Sequence, residues 1–415
     1  MDCRAFLRKL PGNVQAQQPG MKMGMRTDAL RFGMGMGLVL AFTVAHAAAP
    51  VYQITTNLNL PPDNRGAYLG DGQGVSMNNK GQVLSNKISN ASTKFIFGSE
   101  VTPFGYSIPH LYTVKTQEVA PAVTTSGVLK AYSRYKGNTN TVGARIFDDG
   151  SLLVGVAPLS GKREQMEVVS SYAPYVLQAG VFTAVPAYGP QAVTTNRQGW
   201  MLIDTETGLN LGRLGQLQFY PIPLMNSTSV VSSGGSAVSS DGRGVVSIGF
   251  RDPQESVCFV AYQGQVSKVS PPQPGWRLDC RSINASGDIA GVMRRSTSAG
   301  TLEAAVFVWR NGQFQVQPFG PDFDAMAMKL MDSGVLVLDK GLIYLGNTNG
   351  TNAWKGGSQV IRANGEVFEL ESLLSPALPA GQHLQFMDIN DLGQALVRVT
   401  GANGSPQKVI SPSGL

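Results

Sequence analysis

The sequence predicts an all-β protein: a β-propeller of about seven four-stranded blades, closed by an N-terminal strand that joins the last blade. Three observations carry this prediction. Only 14% of the 415 residues are charged while 42% are hydrophobic, and glycine is abundant at 49 residues. That profile suits many turns and few solvated helices, because long surface helices consume Glu, Lys and Arg. A glycine-ended polar turn flanked by short strand-forming runs recurs along the chain. Finally, the two ends of the chain complement each other.

The recurring turn is read at Val75–Leu84, Ala144–Val154, Val193–Ile203, Ala237–Val246, Ser282–Ala290, Lys329–Val337 and Asp388–Leu396. Asn, Asp and Ser bond their own backbone in such turns, and glycine supplies a positive φ. The turn glycines are Gly81, Gly150, Gly199, Gly242, Gly287, Gly334 and Gly393, at spacings of 69, 49, 43, 45, 47 and 59 residues. Four of these spacings match one four-stranded blade of about 40–50 residues. The first interval calls for an insertion, with a weak turn at Ser126-Gly127, and the last contains a loop over Asn347–Asn352.

A second hairpin falls between the turns, over Leu111–Val119, Tyr175–Val185, Leu209–Phe219, Phe259–Val269, Val306–Val316 and Gln359–Leu370. Asn311-Gly312 and Asn364-Gly365 are strong turn signals. Two hairpins per repeat make four strands, one blade. The last repeat lacks its fourth strand, whereas Val51–Leu58 is a strand with no repeat of its own. Pairing these two would leave no long bare edge, which favours a closed ring over a solenoid.

The N-terminal segment reads as targeting. Residues 1–20 are polar, and Met21, Met23 or Met25 is an alternative start. Lys22, Arg26 and Arg31 precede an apolar run over Phe32–Ala45, and Ala45-His46-Ala47 fits signal-peptidase cleavage after Ala47. The run is too short for a membrane span, which needs roughly 20 residues. Cys3 lies upstream of it and is no lipoprotein cysteine. The expected organisation is therefore a targeting segment, 1–47, and a single propeller domain, 48–415. The expected location is periplasmic or extracellular, with no transmembrane span in the mature chain. Loss of residues 1–47 leaves 27 basic against 25 acidic residues. No cluster of Lys and Arg remains to suggest nucleic acid. Cys258 and Cys280 would then share an oxidising space, which favours a disulfide over two separate thiols.

The repeats resemble the HAF-type extracellular repeat family. The best match is Ser282-Ile-Asn-Ala-Ser-Gly-Asp-Ile-Ala-Gly291 followed by Ala305–Gly312, and Asp388-Ile-Asn-Asp-Leu-Gly393 matches the first half. The match departs at 146–147 (Ile-Phe) and 330–331 (Leu-Met), and the family's histidine is absent. The resemblance implies export and a propeller-like fold. It implies no catalytic residues.

Catalytic chemistry is thinly supplied. His110 and His383 sit beside no nucleophile in sequence and read as solvated loop residues. No Cys-x-x-Cys occurs for zinc. Asp148-Asp149-Gly150, Asp204 with Glu206, and Asp388 with Asp391 place oxygens in turns, where Asx-turns compete with calcium as their explanation. Asp322 and Asp324 could be a carboxylate pair but read as a loop. Gly33–Gly37 and Gly70–Gly74 open no strand–helix unit that would cradle phosphate. Phe259, Tyr262, Phe307 and Trp309 read as packing between blades; Trp200, Trp276, Trp354, Tyr188 and Tyr220 read as loop aromatics able to stack on a sugar or peptide. If the first strand of each repeat is innermost, Arg145, Arg281 and Asp388 are the charges at the channel mouth.

The expected function is a non-catalytic binding or scaffold module of the cell envelope or extracellular space. Such a module would need no cofactor or metal and would be a monomer that holds an envelope protein, peptide or glycan. The alternative is a hydrolase or lyase acting on a polymer from a site in the channel.

Overall fold

Short runs of β-branched and apolar residues, cut by glycine turns, become strands throughout. In this computed structural model, the structure describes residues 52–58, 76–89, 94–121 and 139–413, with gaps at 98–99, 104–105, 114–117, 161–166, 169–172, 188–191, 206–207, 223–229, 251–255, 297–301, 320–322, 324, 326, 341–356 and 402–406. The targeting segment and its cleavage site, Gly70–Gly74, Ser126-Gly127, Tyr188, Glu206, Asp322, Asp324, Asn347–Asn352 and Trp354 lie outside the described residues, as does the His110 side chain. No helix among the described residues is long and apolar enough to cross a membrane.

The arrangement is that of a β-propeller. The chain opens with β1 (Tyr52–Leu58). Next come β2 (Ser76–Met77), β3 (Gln82–Ser89), β4 (Lys94–Phe97), β5 (Glu100–Pro103), β6 (Tyr106–Thr113) and β7 (Glu118–Pro121). Strands β2-β3-β6-β7 form one sheet, and β4-β5 is a separate ribbon that fills the long first interval. Then follow β8 (Thr139–Ile146), β9 (Leu152–Ser160), β10 (Glu167–Val168), β11 (Ala173–Gln178) and β12 (Val181–Ala184), joined in one sheet with β8 and β10 both on β9. The next sheet runs β13 (Val193–Thr195), β14 (Trp200–Thr205), β15 (Gly208–Arg213) and β16 (Gln216–Pro221).

An eight-stranded sheet comprises two antiparallel groups. The first is β17 (Val230–Val238), β18 (Gly244–Phe250), β19 (Ser256–Tyr262) and β20 (Gln265–Val269); the second is β21 (Arg277–Ile283), β22 (Ile289–Ser296), β23 (Leu302–Arg310) and β24 (Gln313–Phe319). One parallel pair, Ser256 with Arg277, joins the groups. Strands β25 (Met328–Leu330), β26 (Leu336–Asp339), β27 (Ser358–Ile361) and β28 (Val367–Glu369) make a further sheet. The last contains β29 (His383–Ile389), β30 (Ala395–Thr400) and β31 (Gln407–Pro412), with β1 antiparallel to β31 from Tyr52↔Pro412 to Leu58↔Gln407. Both ends of the described chain thus share one sheet.

Alternate residues of a strand face opposite sides of its sheet, and here both sides are packed. Met201 and Ile203 join Phe147, Leu153 and Val176 of the preceding sheet, whereas Leu202 between them joins Val246, Ile248 and Phe259 of the following one. The pattern continues from strand group to strand group. Phe307 packs on Cys258 and Leu278, Leu336 on Val306, Phe386 on Val360, and Ile146 on Leu84. Met77 and Val83 meet Leu396 and Val409, which links the last sheet to the first.

Cys258 and Cys280 are disulfide-bonded, with Cα atoms 6.3 Å apart, tying β19 to β21. Several residues differ from their sequence assignment. His383 begins a strand, not a loop, because Leu384, Phe386 and Ile389 commit that segment to the core while His383 stays exposed beside Glu371. His110 lies within β6. Tyr220, read as a loop aromatic, is buried in β16, and Trp200 opens β14. Asp204 is in β14, paired with Leu209 of β15.

Candidate functional site

The seven glycine turns fix the geometry of the site. All seven turn glycines adopt φ between 73° and 91°, a region costly for residues with a Cβ. Counting back from each glycine places equivalent residues in equivalent positions. Three residues before it, Asn78, Asn196, Asn284 and Asn390 each donate through Nδ2 to the carbonyl at the same position of the following repeat. The acceptors are the carbonyls of Phe147 (3.0 Å), Ser239, Met331 (3.3 Å) and Asn78 (3.3 Å) respectively. The Ile-Asn of the repeat motif therefore stitches neighbouring sheets together.

Five residues before the glycine stand Ser76, Arg145, Thr194, Ala237, Ser282, Lys329 and Asp388. All seven line one cavity of about 350 Å³. Its wall therefore comes from the first strands β2, β8, β13, β17, β21, β25 and β29. At this position Ser76 Oγ accepts the Ile146 N–H (2.8 Å) and Ser282 Oγ accepts the Leu330 N–H (2.8 Å). Asp388 Oδ2 accepts the Met77 N–H (2.9 Å). Each of these links one sheet to the next. The other four positions make no such bond: Thr194 Oγ1 meets Ser236 Oγ instead, Ala237 has no polar side chain, and Arg145 and Lys329 cannot accept a hydrogen bond.

The three residues expected at the channel mouth, Arg145, Arg281 and Asp388, all line this cavity, and the sheets hold them differently. Arg281 sits one residue earlier in register than the other two. It is tied to Asp279 Oδ2 (2.8 Å from Nε, 2.5 Å from Nη2) and to the Ala325 carbonyl. Asp388 pairs with Arg197 at 2.6 Å, and both side chains are almost wholly buried. Arg197 also donates from Nε to the Met77 carbonyl (2.6 Å), so its side chain reaches from the turn after β13 to β2 and β29. Burial alone would raise the Asp388 pKa. The Arg197 and Arg145 charges, with hydrogen bonds from Met77 and Arg197, outweigh burial and hold it below the usual carboxylate range.

Arg145, Lys329 and Arg398 are the cavity cations without an ion-pair partner among the described residues, and Arg398 differs in having a hydrogen-bond acceptor, Gln385. Arg145 Nε is buried with no hydrogen-bond partner. Burial lowers the Arg145 pKa, only partly offset by Asp388. Lys329 is brought down to about 8, first by burial and then by the Arg197 and Arg145 charges. Arg398 lines the same cavity and reaches Gln385 Oε1 at 3.5 Å, and Gln385 in turn donates to Asp339 Oδ2 at 3.5 Å. The described lining residues include no His, Cys, Tyr or Glu.

The sequence reading missed Lys329, Arg197 and Arg398. Lys329 was visible by register, since it occupies the same place before Gly334 as Arg145 does before Gly150. Arg197 belongs to a turn and enters the site only because its side chain crosses to other sheets.

The acidic turns have partners of their own. Asp149 Oδ1 accepts from Ser151 N (2.8 Å) and Oγ (2.6 Å), which is an Asx-turn. Asp148 and Asp391 both accept from Asn79 Nδ2 (2.9 and 2.8 Å). Among the described residues no three His, Cys, Asp or Glu converge as for a metal. The aromatics mostly pack: Phe259 and Phe307 are buried between sheets, with Trp309 against the same core as Phe307. Arg243 lies over Tyr262 (3.9 Å), Arg295 over Trp276 (4.7 Å) and Arg213 over Trp200 (5.6 Å).

No protein-family model matches the chain, and no curated protein matches it. Among solved structures, the chain is similar to the β-propeller domain of the Trilobed protease from Pyrococcus furiosus, which has an open velcro topology. That match has 10% identity and a TM-score of 0.48, and it covers 82% of this chain and 95% of that one. It is similar also to the polysaccharide lyase Uly1 (10% identity, TM-score 0.44, covering 83% and 91%). A third similar structure is a GH74 xyloglucanase from Xanthomonas campestris (11% identity, TM-score 0.44, covering 87% of this chain and 55% of that one).

Proposed function

We propose that this chain is an exported, non-catalytic binding module: a closed propeller of seven four-stranded blades that holds a ligand in its central cavity. The observation that carries the reading is the cavity itself, to which the equivalent residue of every repeat contributes. Seven first strands around one space, packing that passes from each strand group to the next and from last to first, and the β1–β31 pairing support the ring. A pocket of this size, with convergent polar groups, suits a small ligand or one residue of a larger one. The Cys258–Cys280 bond supports an oxidising destination, in accord with the targeting segment at 1–47 and with the HAF-type resemblance.

Binding is favoured over polymer cleavage because Asp388, the carboxylate placed at the same register as Arg145 and Lys329, is locked by Arg197 and the Met77 amide. A general acid or base needs a pKa near the working pH, and Asp388 is driven the other way; Lys329, at about 8, is the cavity group that the cleavage reading would need, and the capture experiment separates the two readings. The test is capture from envelope and culture-fluid fractions on the immobilised protein, read by mass spectrometry and sugar analysis. A saturable ligand recovered unchanged supports the module. Recovery of a shortened polymer contradicts it in favour of a hydrolase or lyase.

A further inference from the structure

We propose that the cavity binds a small ligand through an oxyanion, a carboxylate or phosphate group, held between Arg145 and Lys329. This inference rests on the binding-module reading and adds the chemistry of the ligand.

Three observations lead to it. The first is register. At one structural position, Ser76, Ser282 and Asp388 accept backbone N–H groups from a neighbouring sheet. Arg145 and Lys329 occupy that position in β8 and β25 and offer donors only. Of the four positions that make no such bond, Thr194 and Ala237 are uncharged, so these two alone bring a cation to the cavity wall without tying it to the next sheet. The second is charge balance. Arg197 is matched by Asp388 and Arg281 by Asp279, and Arg398 and Asp339 are bridged by Gln385, whereas neither Arg145 nor Lys329 has an ion-pair partner among the described residues. The third is the orphaned Arg145 Nε, a buried donor without an acceptor. A buried unpaired donor destabilises the fold, and a charge drawn out of water without a partner does so more. Burial and mutual repulsion bring the Lys329 pKa down to about 8. An oxyanion entering the cavity would satisfy the donor and neutralise the excess. Guanidinium suits a planar, two-oxygen acceptor, and ammonium acts beside it as a point charge.

The test is titration calorimetry of the full chain at low salt with three probes: glucuronate, inorganic phosphate and glucose. The expected result is saturable binding of at least one anion and none of glucose, weakening as salt is raised. Glucuronate binding without phosphate binding identifies a carboxylate ligand, and the reverse identifies a phosphate. Arg145→Gln and Lys329→Gln each reduce affinity at least about tenfold. Arg295→Gln, which removes a charge paired with Glu303 outside the cavity, leaves it unchanged. Because Lys329→Gln removes a charge that burial disfavours, the variant is expected to keep the fold, which circular dichroism and Tm check. No anion binding up to about 10 mM, equal binding of glucose, or unchanged affinity in both Gln variants would overturn the inference. Equal binding of glucose would leave the binding module standing without its oxyanion. With no binding of any probe, the capture experiment alone decides the module.

Discussion

The strand groups that begin at β2 and β21 carry a different kind of residue at one register from those that begin at β8 and β25. In the first pair a serine hydroxyl, from Ser76 or Ser282, closes a hydrogen bond to the next sheet. In the second pair Arg145 and Lys329 bring a cation to the same wall and close nothing. The fold tolerates this because neighbouring strand groups also share apolar clusters and, in four repeats, an asparagine stitch. Structural work is spread over many equivalent positions, which frees a few for a ligand. Among the four positions without that bond, Arg145 and Lys329 are recognisable because they bring charge to the wall at a cost in stability.

The largest expected effect tests the buried pair behind that wall. Arg197→Ala leaves Asp388 buried opposite no charge of its own and removes the donor to Met77. Urea unfolding should show a loss of about 3–5 kcal/mol. An unchanged midpoint would mean that the pair is dispensable and that the wall has no rigid backing. Next is the disulfide. Its Cys258 and Cys280 are 22 residues apart in the chain. Replacing both by serine should cost about 2–4 kcal/mol, and thiol-labelling of the native protein should find neither cysteine reactive.

A smaller change sharpens the comparison itself. Ser282→Ala strands the Leu330 N–H, a buried donor, and should cost about 1–3 kcal/mol in urea unfolding without altering anion affinity. A loss of affinity instead would make the serines part of the binding wall. The smallest change concerns export and leaves the fold untouched. N-terminal sequencing of the protein recovered outside the cytoplasm should begin at Ala48, and a start at Met1 would contradict the targeting reading.

Much of this was legible in the sequence, for a physical reason. A tight turn needs a residue at positive φ, so its glycine marks a fixed point in each repeat, and residues at a constant distance before it share a place in the fold. Arg145 and Asp388 stand out in the sequence as charges near the first strand of a repeat, and the count of five from the turn glycine gives them one shared place. Lys329 follows from the same count of five, applied to Gly334. Arg281 was chosen for its charge, but it is one residue out of register and is held by Asp279. Arg197 was not legible, because nothing local to Asn196-Arg197-Gln198 says that the side chain crosses to Asp388, 191 residues away in the chain. Arg398 comes from β30, a second strand, outside any count made from the turns. The histidines were misplaced because two isolated polar residues carry little periodicity, and the apolar alternation around His383 was the stronger signal.

The central claim is that the cavity cations burden the fold and so serve a ligand. It is tested most directly by urea unfolding of the wild type and Lys329→Met, without ligand, at about pH 7 and about pH 10.5. The folded-state pKa of Lys329, about 8, lies below its ordinary value of 10.5. Between those values the unfolded chain binds more protons, so stability rises with pH, and below about pH 8 the penalty is fully present. Arg145, Arg197, Asp388 and Asp391 are the charges that act on it. The account predicts a variant more stable than the wild type by about 1–3 kcal/mol at neutral pH, with the difference shrinking as the pH approaches 10.5. A variant less stable than the wild type at neutral pH would show that Lys329 supports the fold, and would contradict the claim.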